Sequence, residues 1–300
     1  MGANLKEVRE RIKSVKSTQQ ITKAMKMVSA AKLRRAQEAI TKMRPYANKL
    51  NAMLVNILSN LEGDASTVFG QEREVQKALV VVITSNRGLA GAFNTNVIKE
   101  ANLTIETKYA ELRAAGKLDI LCIGKKGFDY FKKRFPKENI ITDYIEIFSD
   151  LSFDNIAQVS QRIMDAFEAG EYDAVDAAFG RFKNAAVQLP QSVQFLPVAK
   201  LEPKKGSKKK TTKADYIFEP DKTSLLNHLV PSILQTRFHS FLLDTHASEH
   251  GARMTAMDKA TENAEEIVKD LKIAYNKARQ EAITKELSEI VGGAAALEGA

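Results

Sequence analysis

LKEVRERIKSVKSTQQITKAMKMVSAAKLRRAQEAI, residues 5–40, contains neither glycine nor proline, and its apolar residues recur at helical spacing. Leu5, Val8, Ile12 and Val15 follow one another at three and four residues, and Ile21, Met25 and Val28 resume after a shift of phase. That is the periodicity of a helix with an interrupted heptad. The pattern extends to about residue 58, with Pro45 as its one proline. At about 1.5 Å per residue such a helix is about 80 Å long, so a globule of this size cannot bury it and it needs a partner along its length.

The other end of the chain offers that partner. After Glu219-Pro220-Asp221 a second helical pattern runs to about Val291, with Pro231 near its start and Gly251 inside it. Ile267, Leu271, Ala274 and Ala278 show 4-3-4 spacing, and Gly292-Gly293 stands where a helix is expected to stop. The two ends are expected to pair as an antiparallel coiled coil. Between them lies a different composition. Of 14 Phe and 7 Tyr, only Tyr46, Phe238, Phe241 and Tyr275 fall outside the stretch from Phe69 to Phe218. Aromatic residues collect in globular cores, so the middle is a globule. Lys77–Thr84, Leu118–Ile123, Ile140–Phe148 and Tyr172–Phe179 are rich in strand formers, with Val193–Val198 a further strand. Helical stretches near 93–115, 125–135 and 154–169 separate them. This order predicts an α/β domain with a mostly parallel sheet. The expected organisation is an N-terminal coiled-coil helix over 1–62, a Rossmann-like α/β foot domain over 70–200, a basic loop and foot segment over 201–220 and a C-terminal coiled-coil helix over 221–300.

Composition excludes several classes. With 44% hydrophobic and 27% charged residues the chain is too apolar for wholesale disorder. Its ALVVVI run at 78–83 is far shorter than the roughly 18 residues of a spanning helix. A single cysteine, Cys122, excludes an internal disulfide framework and a Cys-rich zinc site. At the amino terminus no apolar signal core follows Met1, and Lys6 stands where a myristoylation site wants Ser or Thr. The expectation is a protein made and kept on the cytoplasmic side. The net charge is +8, yet residues 4–50 alone carry thirteen Lys and Arg against Glu7, Glu10 and Glu38. Such a segment seeks an acidic partner: nucleic acid, a membrane surface or an acidic protein face.

Candidate sites are few. VVVITSNRGLAGAFNTN (80–96) places glycines between a strand and a helix, as phosphate cradles do, but lacks both G-x-G-x-x-G spacing and a P-loop Lys-Ser/Thr. Gly124-Lys125-Lys126-Gly127 fails the same test, and both are expected to be tight turns. His246-Ala247-Ser248-Glu249-His250 matches H-x-x-E-H, an inverted zinc-protease pattern. A catalytic zinc needs a third ligand and a closed pocket, so a solvated helix face is expected instead. The lysine loop PKKGSKKKTTK (203–213) carries six lysines with no aromatic platform for bases. The basic amino-terminal helix leaves open a coiled-coil protein that binds nucleic acid. Met25 and Met27 among its charges favour a surface sliding over changing partners. No catalytic constellation stands out, and no cofactor or metal is expected.

STQQITKAMKMVSAAKLRRA (17–36) and RPYA (44–47) resemble the amino-terminal signature of the gamma subunit of F-type ATP synthases. The resemblance continues at TSNRGLAGAFNTN (84–96), ASEHGARMTAMDKATENA (247–264) and YNKARQEAITKELSEIVGGAAAL (275–297), covering essentially the whole chain. It implies a central stalk in which the paired terminal helices enter the hexamer of alpha and beta subunits. The α/β domain would then bind epsilon and stand on the ring of c subunits, so that contact with the membrane is indirect and nucleic acid is no partner. It implies coupling of ion-driven rotation to three catalytic sites in turn, with no chemistry in this subunit. By the same resemblance Lys23, Met25 and Lys26 meet an acidic lever of the catalytic subunits. Arg253, Gln280, Thr284 and Glu289 act as a catch on the hexamer's loops, the end from Ile290 to Leu297 turns in an apolar sleeve, and Tyr216, Phe218 and Glu219 touch the c ring. Chloroplast members carry an inserted cysteine pair that Cys122 alone cannot reproduce, so a thiol switch is not expected.

Overall fold

A computed structural model describes residues 5–59, 68–71, 73–198 and 222–298. Two compact units divide the chain: one takes its ends, up to Ser29 and from Met254, and the other takes Ala30–Arg253. The division falls inside both long helices, α1 (Leu5–Ser59) and α6 (Lys222–Glu298), rather than at their ends.

The Ala30–Arg253 unit is built on β1 (Ala78–Ile83), β2 (Leu118–Ile123), β3 (Asn139–Ile141), β4 (Ala174–Phe182) and β5 (Gln188–Leu196), in the spatial order β3-β2-β1-β4-β5. The first four are mutually parallel and β5 runs antiparallel on the edge. Every residue of β1 and β2 is buried, as both faces are covered. The period of two sorts their side chains. Leu79, Val81 and Ile83 join a core with α5 (Phe153–Glu168) and the α6 residues Leu234, Phe238 and Leu242. Val80, Val82 and Cys122 join the opposite core, with α2 (Phe93–Lys108) and Phe131 of α4 (Lys125–Arg134). Cys122 is fully buried, and burial pushes its thiol up to about 12. β5 tolerates Pro190 because it has a free side as an edge strand.

Three expectations about elements need correction. The strand expected over Ile140–Phe148 lasts only to Ile141; the chain then turns through short-range bonds from the Ile145 and Ile147 amides to the Thr142 and Tyr144 carbonyls. The turn delivers Ile147 to the core and stacks Phe148 on His246. Nor does α6 stop at Gly292-Gly293. Neither glycine takes a left-handed φ, and the Ala-rich residues that follow carry the helix to Glu298. The helix expected over 93–115 divides at Tyr109 into α2 and the short α3 (Ala110–Ala114), with the Tyr109 hydroxyl donating to the buried Asp176 of β4 at 2.9 Å.

In the other unit α1 and α6 run antiparallel. Arg9 bonds Tyr275 at 2.8 Å, Thr22 bonds Thr261 at 2.7 Å, and Lys26 pairs with Asp258, so rising numbers on one helix meet falling numbers on the other. The inward residues of α1 are Leu5, Val8, Ile12, Val15, Gln19, Thr22 and Ser29, spaced by three and four as far as Thr22, with Met25 and Lys26 both half-buried between the last two. The expected shift of phase does not occur. The heptad continues in polar residues, and Ile21 and Val28 are each 57% exposed. On α6 the inward residues are Met257, Thr261, Ala264, Val268, Leu271, Tyr275, Ala278 and Ala282. Ile267 and Ala274, expected in that seam, are exposed.

Candidate functional site

β1 and β4 lie side by side, but the chain leaves β1 for β2 on one flank and β4 for β5 on the other. The carboxyl ends of such a strand pair open a crevice where α/β sheets bind ligands. Here the chain's own α6 fills it. Ser248 Oγ donates to the Gly180 carbonyl on β4 at 2.9 Å, and a Cβ on Gly180 would lie 2.4 Å from the Phe93 ring. Gly251 brings the α6 backbone against Ala185, where a Cβ would stand 3.2 Å from the carbonyl oxygen. Arg253 donates to the Arg87 and Gly88 carbonyls, at 3.1 and 3.2 Å, in the loop after β1.

The two glycine loops spend their polar groups on each other. The amides at the start of α4 donate in turn to Asn86 Oδ1 (Lys125, 3.0 Å), the Ser85 carbonyl (Lys126, 3.1 Å) and Thr84 Oγ1 (Gly127, 2.8 Å). Ser85 N donates to Asn94 Oδ1 at 2.9 Å. Gly124 holds φ +93°, and a Cβ there would fall 2.0 Å from the Thr84 carbonyl oxygen, so the turn requires glycine. Both loops are therefore tight turns, as their spacing indicates, and these amides are not aimed at a phosphate. Leu89, at the tip of the first loop, is held at φ +63° and is 67% exposed.

The H-x-x-E-H stretch is not a solvated helix face, and this corrects the sequence reading. Glu249 and His250 are buried, and His246 stacks on Phe148. The two imidazole Nε2 atoms are 3.0 Å apart, so one donates and the other accepts. Burial pushes His246 down to about 4, and burial with the neighbouring His246 pushes His250 down to about 3; Lys32 and Arg253 push both the same way. Glu249 accepts from Arg253, yet burial raises its carboxyl above the ordinary range. Among the described residues, no group of three or more His, Cys, Asp and Glu is placed to hold a metal. Arg253, grouped with the catch residues by resemblance, lies turned inward to Glu249 and the β1 loop in this chain, with its side chain 8% exposed. A heptad reading could not have revealed this, because two of its partners are backbone carbonyls distant in sequence.

In the helical pair, Lys23 is exposed and Met25 half-buried on α1, with Ile21 and Val28 exposed beside them. Lys26, grouped with them by sequence, is engaged by Asp258. Thr22, Asp258 and Thr261 were not singled out from the sequence. The signal was present in the threes and fours running on through Gln19, Thr22, Lys26 and Ser29. Gln280, Thr284 and Glu289 are exposed on α6, where Thr284 Oγ1 donates to the Gln280 carbonyl at 2.9 Å and Glu289 lies 3.8 Å from Lys285. Ile283, Leu287, Ile290 and Val291 are also exposed there. Tyr216, Phe218 and Glu219, and the lysine loop, lie outside the described residues. No helix among the described residues is long and apolar enough to cross a membrane.

The crevice is closed by the protein's own helix, the phosphate-type loops turn on each other, and Ile21 and Val28 stand exposed on a paired helix. Comparison with known proteins supplies the family. A family model described as ATP synthase matches residues 4–297. The chain is 54% identical to the ATP synthase gamma chain of Cytophaga hutchinsonii over 98% of this chain and 99% of that one. It is 52% identical to the gamma chain of Flavobacterium psychrophilum over 99% and 100%. A chain of the Euglena gracilis mitochondrial ATP synthase shares its fold at a TM-score of 0.64, with 23% identity over 98% of this chain and 94% of that one. The protein belongs to the family of ATP synthase gamma subunits, the central stalk of the enzyme.

Proposed function

We propose that this chain is the rotor shaft of an F-type ATP synthase, carrying ion-driven rotation of a c ring to the catalytic sites of an alpha/beta hexamer while doing no chemistry itself. The observation that carries the reading is the apolar pair Ile21 and Val28, left exposed on α1 beside Lys23 with Met25 half-buried between them. A rotating shaft must favour a different conformation at each site it passes, which requires contacts that differ between states and release readily. Apolar side chains with an adjacent cation meet that requirement. Charge guides the approach to an acidic lever, and the thioether of Met25 adapts to changing contacts.

Gln280, Thr284 and Glu289 are the residues of the proposed catch that stand exposed on α6. Arg253 contributes from inside, by bracing the loop that carries Arg87 and Leu89. The exposed Ile290 and Val291 fit an apolar sleeve. Tyr216, Phe218 and Glu219 remain the c-ring contact by family resemblance, with epsilon bound at the α/β domain and the assembly on the cytoplasmic face of a bacterial membrane. Expressed with its alpha and beta subunits, the chain is expected to give a stable assembly with ATPase activity; failure to assemble would end the proposal. In that assembly Met25→Glu should impair ATP-driven proton pumping while leaving folding intact, and undiminished pumping would remove the lever assignment.

A further inference from the structure

Between residues 19 and 29, α1 carries two competing heptad faces. Ile21, Met25 and Val28 make the more apolar one and would be the seam of an ordinary coiled coil. Thr22, Lys26 and Ser29, each one place along, continue the seam from Gln19 instead, with Met25 half-buried at its edge. One place along a helix is a turn of about 100°. Apolar burial favours the first phase, and the structure adopts the second. Two contacts across the pair answer for it. Thr22 Oγ1 and Thr261 Oγ1 meet at 2.7 Å, Thr261 also donating to the Met257 carbonyl, and Lys26 Nζ reaches Asp258 Oδ1. Thr22 and Ser29 are 8% and 2% exposed and so turned well inward, while Lys26 and Asp258 pair at the seam's half-exposed edge.

We propose that Thr22, Lys26, Asp258 and Thr261 form a phase lock that sets the rotation of α1 about its own axis and thereby holds Ile21 and Val28 outward, with Met25 half-buried at the edge of the seam. Polar seam positions set register and orientation in coiled coils at some cost in stability, and here they also decide which face is left for a partner. These four are positioning residues: they act through Ile21 and Val28. The lock stands on the geometry of the pair, and only its consequence for coupling rests on the lever reading above.

Paired cysteines read the phase in the full-length protein, where the native Cys122 is buried and does not compete. Gln19→Cys with Ala264→Cys joins two seam positions of the observed phase, and Thr18→Cys with Ala264→Cys reports the rolled one. With the lock intact the first pair should oxidise much faster. Asp258→Ala with Thr261→Ala should lower the ratio of the two rates by about fivefold, the scale of one partly exposed ion pair with its hydrogen bond. An unchanged ratio overturns the proposal. Charge exchange guards against a merely misfolded variant: Lys26→Asp with Asp258→Lys should restore the ratio that either change alone disturbs, and no restoration also overturns it. In the assembled complex, a ratio that moves while ATP-driven pumping does not would uphold the lock and count against the lever reading alone.

Discussion

Arg253 ties one side chain to three acceptors. Its guanidinium serves a buried carboxylate and two carbonyls at once. Arg253→Ala would strand Glu249, and breaking a buried pair from one side costs about 3–5 kcal/mol. Urea unfolding should show that loss. Adding Glu249→Gln should recover part of it by removing the stranded charge, and a loss no smaller in the double variant would contradict the pairing. The His246–His250 pair gives a pH dependence. Both folded values lie below the ordinary 6.5, so the unfolded chain takes up protons first as pH falls. Their contribution is complete above about pH 6.5 and is lost as pH falls through about 4 and about 3. Asp244 acts in the opposite sense. Burial raises it to about 6 despite Arg181 and Arg44, so its contribution is present below its ordinary 3.8 and fades as pH rises through about 6. Stability measured against pH should therefore show a shallower acid limb in His246→Gln/His250→Gln than in the parent.

At the scale of elements, a decisive packing contact is Gly180 beneath α6. Phe93 and Ser248 already occupy the space that a Cβ would take, so Gly180→Ala should cost about 1–3 kcal/mol by overpacking. Thermal unfolding checks it, and an unchanged midpoint would mean that the α6 seat is loose. β1 and β2 were legible in the sequence because strands covered on both faces read as continuous apolar runs. The strand expected to Phe148 misled because Ile145, Ile147 and Phe148 have strand-forming side chains, while the backbone bonds that turn the chain leave no mark on composition. The helical seam misled for the opposite reason. Apolar Ile21 and Val28 stood out, whereas the true seam there is written in Gln19, Thr22, Lys26 and Ser29, which a search for hydrophobic residues passes over.

For the whole molecule, the long end helices and the α/β middle follow from glycine, proline and aromatic distribution alone, and the family follows from motifs spread along the chain. What sequence could not supply is the use of the sheet's ligand crevice, since nothing local says that α6 returns to fill it. Calorimetric titration with ATP and with NAD should accordingly be flat; saturable heat would mean that the crevice opens.

An alternation of three and four residues has a handedness. Helices that keep a 3.5-residue repeat must wind about each other to the left, and the inward positions from Leu5 to Ser29 and from Met257 to Ala282 keep it. A left-wound pair answers unequally to opposite torques, tightening under one and loosening under the other. A motor driven forwards to make ATP and backwards to spend it would then have a drive train stiffer in one direction of turning than in the other.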